Sequence, residues 1–76
     1  MTLEINVNDD AIYLRLSNGE IDNTKRVRTG ENHDLDATGR LIGVEVIDAS
    51  KRFGDLRKLT VEAAMSELHL AEPVVA

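Results

Sequence analysis

The sequence predicts an α+β fold: a small antiparallel β-meander of four to five strands with one C-terminal helix packed on the sheet. Three observations lead there. Apolar and polar residues alternate at period two through the first half of the chain, the mark of half-buried strands. Clusters of Asn, Asp and Gly cut that alternation into strand-length pieces. Beyond Gly54 the apolar spacing changes to that of a helix. The 76 residues make one domain, β-rich over 1–53, with a linker and helix over 54–72 and a tail over 73–76.

In the first strand Leu3, Ile5 and Val7 share one face, with Glu4 and Asn6 on the other. Asn8, Asp9 and Asp10 turn the chain into a second strand, where Ile12, Leu14 and Leu16 oppose Ala11, Tyr13 and Arg15. Asn18-Gly19 is a strong hairpin signal, so a third strand is expected to fold back directly. That third piece, over 20–30, is polar between Ile21 and Val27 and reads as an edge strand. Residues 31–36 suggest a further strand, although only Leu35 is clearly apolar. Gly39 ends the turn that follows, placed for a positive φ. Next comes the strongest strand, with Ile42, Val44 and Val46 on one side and Leu41, Gly43, Glu45 and Ile47 on the other. Aliphatic residues on both faces place it in the middle of the sheet.

Asp48 or Ser50 is expected to cap a short helical turn through Lys51, Arg52 and Phe53, which Gly54 stops. Thr60 is the expected N-cap of a helix from 61 to about 70, with Glu62 well placed for the dipole. Val61, Ala64, Met65 and Leu68 form its apolar stripe, and Pro73 marks its end. A helix of that length needs something to pack on.

A chain this short buries only roughly 60–65% of its unfolded surface, so it gains from a partner. It has no cysteine, which excludes disulfides, thiolate metal sites and thiol catalysis. Fourteen acidic and nine basic residues leave a net charge of −5, which argues against a nucleic-acid binder. No apolar run is long enough for a membrane span, and the expectation is a soluble cytoplasmic protein without membrane contact.

Asp34, Asp36 and Gly39, with Glu45 at the twelfth position when Asp34 is counted as the first, imitate a calcium loop. Glu45 lies inside the best strand, so the segment reads as a hairpin turn. His33 and His69 are too few for a zinc site, and His69 suits the C-terminus of the helix instead. No metal or cofactor is expected. Ser17, Ser50 and Ser66 lack a nucleophile context, and with Tyr13 and Phe53 the sole aromatic residues a desolvated cleft is hard to build. No catalytic residue is assigned and no enzyme is expected. One charged grouping stands out: Lys51, Arg52, Arg57 and Lys58 surround the strand-to-helix junction, with Asp55 as the one acid among them. They are the candidate contacts for an acidic partner or an anion.

Two segments carry a family resemblance. Asp10-Ala11-Ile12-Tyr13-Leu14-Arg15-Leu16-Ser17 and Gly39-Arg40-Leu41-Ile42-Gly43-Val44-Glu45-Val46-Ile47-Asp48-Ala49-Ser50 resemble the signature of a small prokaryotic family known as domain of unknown function 2283. The resemblance runs from about Asp9 to Arg52 and implies a compact sheet-containing domain with no catalytic residues to carry over. It also implies aliphatic residues near positions 31 and 33, where this chain has Glu31 and His33. Some family members resemble the second partner of two-gene cassettes beside a small RNase-like toxin. Physical roles for the matched residues are structural: Gly43 permits close approach of a ring or backbone, and Glu45 can pair with Arg15 or Arg40.

Two functions from different classes follow. The first is a non-catalytic protein-interaction module, antitoxin-like toward a small basic protein. The second is a homo-oligomeric structural or regulatory domain that binds a small anion or nucleic acid through the basic junction. A homodimer is the favoured assembly.

Overall fold

Period-two alternation becomes five strands in the computed structural model, which describes residues 1–70. They are β1 (Thr2–Asn6), β2 (Ala11–Arg15), β3 (Asn23–Arg28), β4 (Glu31–Leu35) and β5 (Leu41–Ile47). Helix α1 (Ser50–Phe53), a 3-10 turn (Leu56–Lys58) and helix α2 (Val61–Glu67) follow. Pro73 as a helix stop, and the tail expected over 73–76, lie outside the described residues.

All strand pairs are antiparallel, and the sheet order is β1-β2-β5-β4-β3. The α+β class and the central place of β5 are as expected. The path differs in one respect: β3-β4-β5 is a continuous meander, whereas β2 docks on the other side of β5. Asn18-Gly19 therefore does not close a hairpin between β2 and β3. It lies in a longer connection that carries the chain to the far edge, with Gly19 at φ 149° beside Ile42.

Ile12, Leu14, Val44 and Val46 form the sheet's contribution to the core, covered by Ala49, Leu56, Ala64 and Leu68. Val61 and Met65 complete the expected stripe of α2, packed against the same cluster. Each fully buried aliphatic contributes about 1.5–3 kcal/mol. A register shift between β4 and β5 pairs Leu35 with Leu41 next to the Asp34–Gly43 pair. Such a bulge exchanges faces locally. Leu41 packs against the core cluster, while Ile42, 1% exposed, is buried outside it.

The caps repeat this division between local and distant causes. Thr60 Oγ1 accepts the Ala63 N–H at 3.1 Å, so α2 starts where its sequence says. It stops at Glu67, earlier than the expected 70. His69 takes φ 56°, its N–H donates to Ser66 O at 3.1 Å, and the Leu70 N–H donates to Met65 O at 2.9 Å. That is a Schellman ending with histidine at the left-handed position. Helix α1 is capped by neither Asp48 nor Ser50. Its cap is Asp10, whose Oδ1 accepts the Ser50 N–H at 2.8 Å and whose Oδ2 accepts the Ser50 hydroxyl at 2.7 Å.

Candidate functional site

Helices cover one face of the sheet and leave the other polar. Along β2, Tyr13 stands opposite Glu4 of β1 and Glu45 of β5, so the three form a row across the open face. Gly43 has no side chain, and a methyl group there would overlap the Tyr13 hydroxyl. Through that gap the tyrosine crosses β5 and donates to Asp34 Oδ2 at 2.7 Å. Thr24 Oγ1 on β3 donates to Asp34 Oδ1 at 2.6 Å. The chain Tyr13–Asp34–Thr24 thus ties β2, β4 and β3 together over the glycine of β5. Burial, the hydrogen bond to Asp34 and that carboxylate's charge push the Tyr13 hydroxyl from 10.0 to about 12. The close approach expected at Gly43 is present. Glu45, however, pairs with neither Arg15 nor Arg40 and instead accepts a hydrogen bond from Asn32 Nδ2 at 3.3 Å.

On the covered face β4 carries a charged cluster. Glu31 lies opposite Val46 and its side chain is 3% exposed. Arg52 Nη1 from α1 donates to Glu31 Oε1 at 2.6 Å, and His33 Nε2 lies 2.7 Å from Oε2. The exposed Arg28 approaches Oε1 at 3.6 Å. Burial pushes the Glu31 carboxyl up, but the hydrogen bonds from Arg52 and His33 and their charges outweigh it and hold the group below its usual value. Glu31 and His33 therefore replace the aliphatic contact that the family resemblance implies with a buried ion pair that docks α1 on the sheet.

The four basic junction residues have separate fates. Arg52 is bound to Glu31, and its guanidinium lies 5.9 Å from the centre of the Phe53 ring. Arg57 is bound to Asp55 at 3.1 Å and is largely exposed. The Arg57 side chain and backbone N–H hold the Asp55 carboxyl below its usual value. Lys51 and Lys58 are exposed and form no ion pair among the described residues.

The calcium-like residues diverge. Asp34 faces Tyr13 and Thr24, and Glu45 faces Asn32. Asp36 Oδ1 accepts from the Thr38 N–H at 2.9 Å, the Thr38 hydroxyl at 2.7 Å and the Arg40 N–H at 3.0 Å, closing the hairpin from within. The Thr38 hydroxyl and the Arg40 N–H hold its carboxyl low. Among the described residues no three His, Asp or Glu side chains converge as metal ligands. The Ser50 hydroxyl is engaged by Asp10.

An open groove of about 620 Å³ lies at the β1–β2 end of the sheet. Its lining includes Glu4, Asp9 and Glu45, all exposed, and no lysine or arginine; Asp9 Oδ2 accepts from Asn6 Nδ2 at 2.9 Å. Sequence reasoning missed this site because Glu4 and Glu45 stand 41 positions apart and meet only through the β1-β2-β5 order. Alternation did place each of them opposite the apolar row of its strand, which was the available signal. No described helix is long and apolar enough to cross a membrane.

A family model described as protein of unknown function (DUF2283) matches residues 4–50. No curated protein and no solved structure matches the chain.

Proposed function

The chain belongs to the DUF2283 family of proteins of unknown function, and on that footing we propose that it is a non-catalytic protein-interaction module for a basic partner. The observation that carries this is the groove in which Glu4, Asp9 and Glu45 face solvent with no basic residue in the lining. Complementary potentials steer association and reject partners of like charge. With a net charge of −5, the chain as a whole adds to the same field. An antitoxin-like role, covering a small basic protein, is one form of this function.

Binding of an anion or nucleic acid at the basic junction has less support. Of its four residues Arg52 and Arg57 already hold carboxylates, so only Lys51 and Lys58 are available. A homodimer is the second reading, favoured by the exposed side chains of Met1, Val7 and Ile47.

The test is affinity capture from the native host at moderate salt, comparing the parent chain with the Glu4→Lys, Glu45→Lys double variant. A basic protein recovered in near-equal amount with the parent and lost with the variant is the expected result. Recovery that is indifferent to the charge reversal, or recovery of the chain alone as a dimer, would overturn the basic-partner reading.

A further inference from the structure

The two edges of the sheet are built differently. Among the described residues nothing pairs with the outer side of β1 or of β3. The β3 edge carries Lys25, Arg26 and Arg28 within six residues and has a register shift between Arg26 and Arg28. Charges and bulges of this kind are how proteins keep an edge from pairing. By contrast β1 is regular along its whole register and carries a single charge, Glu4. An unpaired regular strand presents a row of free N–H and C=O groups, the template for adding another strand.

We propose that the outer edge of β1 accepts an extended segment of a partner protein by strand addition, and that this segment alternates apolar residues with lysine or arginine. The proposal rests on the basic-partner reading and supplies its mode of binding. The pattern follows from the pleat, because successive residues of a strand face opposite sides.

On the helix side Leu3 and Ile5 lie opposite Leu14 and Ile12 of the core. Ile5 is 36% exposed, and Val7 beyond it is 55% exposed. An incoming apolar row would extend this layer and cover both. On the open side the β1 row contains Glu4, followed inward by Tyr13 and Glu45. Side chains entering next to Glu4 meet a groove whose lining holds three acidic residues, Glu4, Asp9 and Glu45, and no basic one, and cations complement it. A second copy of this chain fits less well. Two-fold antiparallel pairing centred on β1 sets Glu4 against the same residue of the other copy, and like charges directly opposite are destabilising.

The experiment uses the full chain and a blocked synthetic peptide of about eight residues alternating valine and lysine, a typical strand length. Affinity is measured by calorimetry, and backbone amide exchange along β1 and β3 by NMR. Two control peptides accompany it: one alternating valine and glutamate, and one of valine and lysine with every backbone nitrogen methylated. The expected result is binding of the first peptide with slowed exchange in β1 and not in β3. Affinity should fall about tenfold or more in Glu4→Lys and be lost with the methylated peptide, which keeps its charge but cannot donate to an edge. Equal binding of the methylated peptide, still lost in Glu4→Lys, would overturn strand addition and leave the basic-partner reading standing. Equal binding of the valine–glutamate peptide would overturn both. No binding of the valine–lysine peptide would overturn the proposal, as would a dimer by light scattering whose β1 amides are protected before peptide is added.

Discussion

Asp10 and Ser50 hold each other across 40 positions of sequence: one carboxylate accepts both the backbone N–H and the hydroxyl of the serine, at 2.8 and 2.7 Å. The Ala49 N–H also donates to the Asp10 carbonyl at 2.9 Å, and Ala49 is fully buried. The β1–β2 turn and the first helix are thus one unit, with both ends inside the segment matched by the family. Asp10 takes φ 50°, a region that aspartate and asparagine tolerate better than most side chains.

Replacing the cap should show this coupling. Asp10→Ala is expected to cost about 1–2 kcal/mol, since it removes the helix cap and leaves a strained backbone without compensation. Asp10→Asn should fall between alanine and the parent. Urea denaturation of the three chains checks the order.

Gly43 and Tyr13 should be coupled in the same manner. Gly43→Ala is expected to destabilise by roughly 1–3 kcal/mol, because the methyl group displaces the tyrosine ring and breaks its bond to Asp34. In a Tyr13→Ala background the same change should be neutral or mildly stabilising, since an ordinary strand gains from alanine. A double-mutant cycle measures the difference.

Within the basic junction, truncation should separate Arg52 from its neighbours. Arg52→Ala leaves a buried carboxylate without its closest cation and should cost about 3 kcal/mol. Lys51→Ala and Lys58→Ala should stay within about 0.5 kcal/mol. Thermal melts at one pH suffice to compare them.

Acid should act through Glu31. Its folded-state pKa is lowered from 4.5, so its contribution is fully present above the unfolded value and is lost as pH falls through the lower folded value. Glu31→Gln is expected to lower stability at neutral pH and to flatten the decline below about pH 4.5. Denaturation midpoints measured across the acid range check the slope.

Alkali should act through the single tyrosine. With its pKa raised from 10.0 to about 12, Tyr13 favours the folded state below the unfolded value, and that contribution is lost as pH rises through the folded one. Near-ultraviolet absorbance should place its ionisation near pH 12 in the folded chain. In Asp34→Asn the midpoint should move back toward about 10.

By itself the sequence determined most of what depends on residues close together along the chain, the left-handed stop of α2 at His69 being the exception. Alternation at Ile12, Leu14, Val44 and Val46 set the buried face, Asp36 and Gly39 the turn, and Thr60 the start of α2. Only the tertiary structure decided what depends on which strands are neighbours. Nothing local told that β5 enters between β2 and β4, so Asn18-Gly19 read as a hairpin and Asp10 as no more than a turn residue. The same order brings Glu4 and Glu45 to one groove. Docking α1 on the sheet places Arg52 on Glu31, a pairing that its grouping with Lys51, Arg57 and Lys58 along the sequence did not foretell. The physical reason is that strand period specifies which side of a sheet a residue faces, while its neighbours on that side are set by strand order and register, which form through contacts distant in sequence.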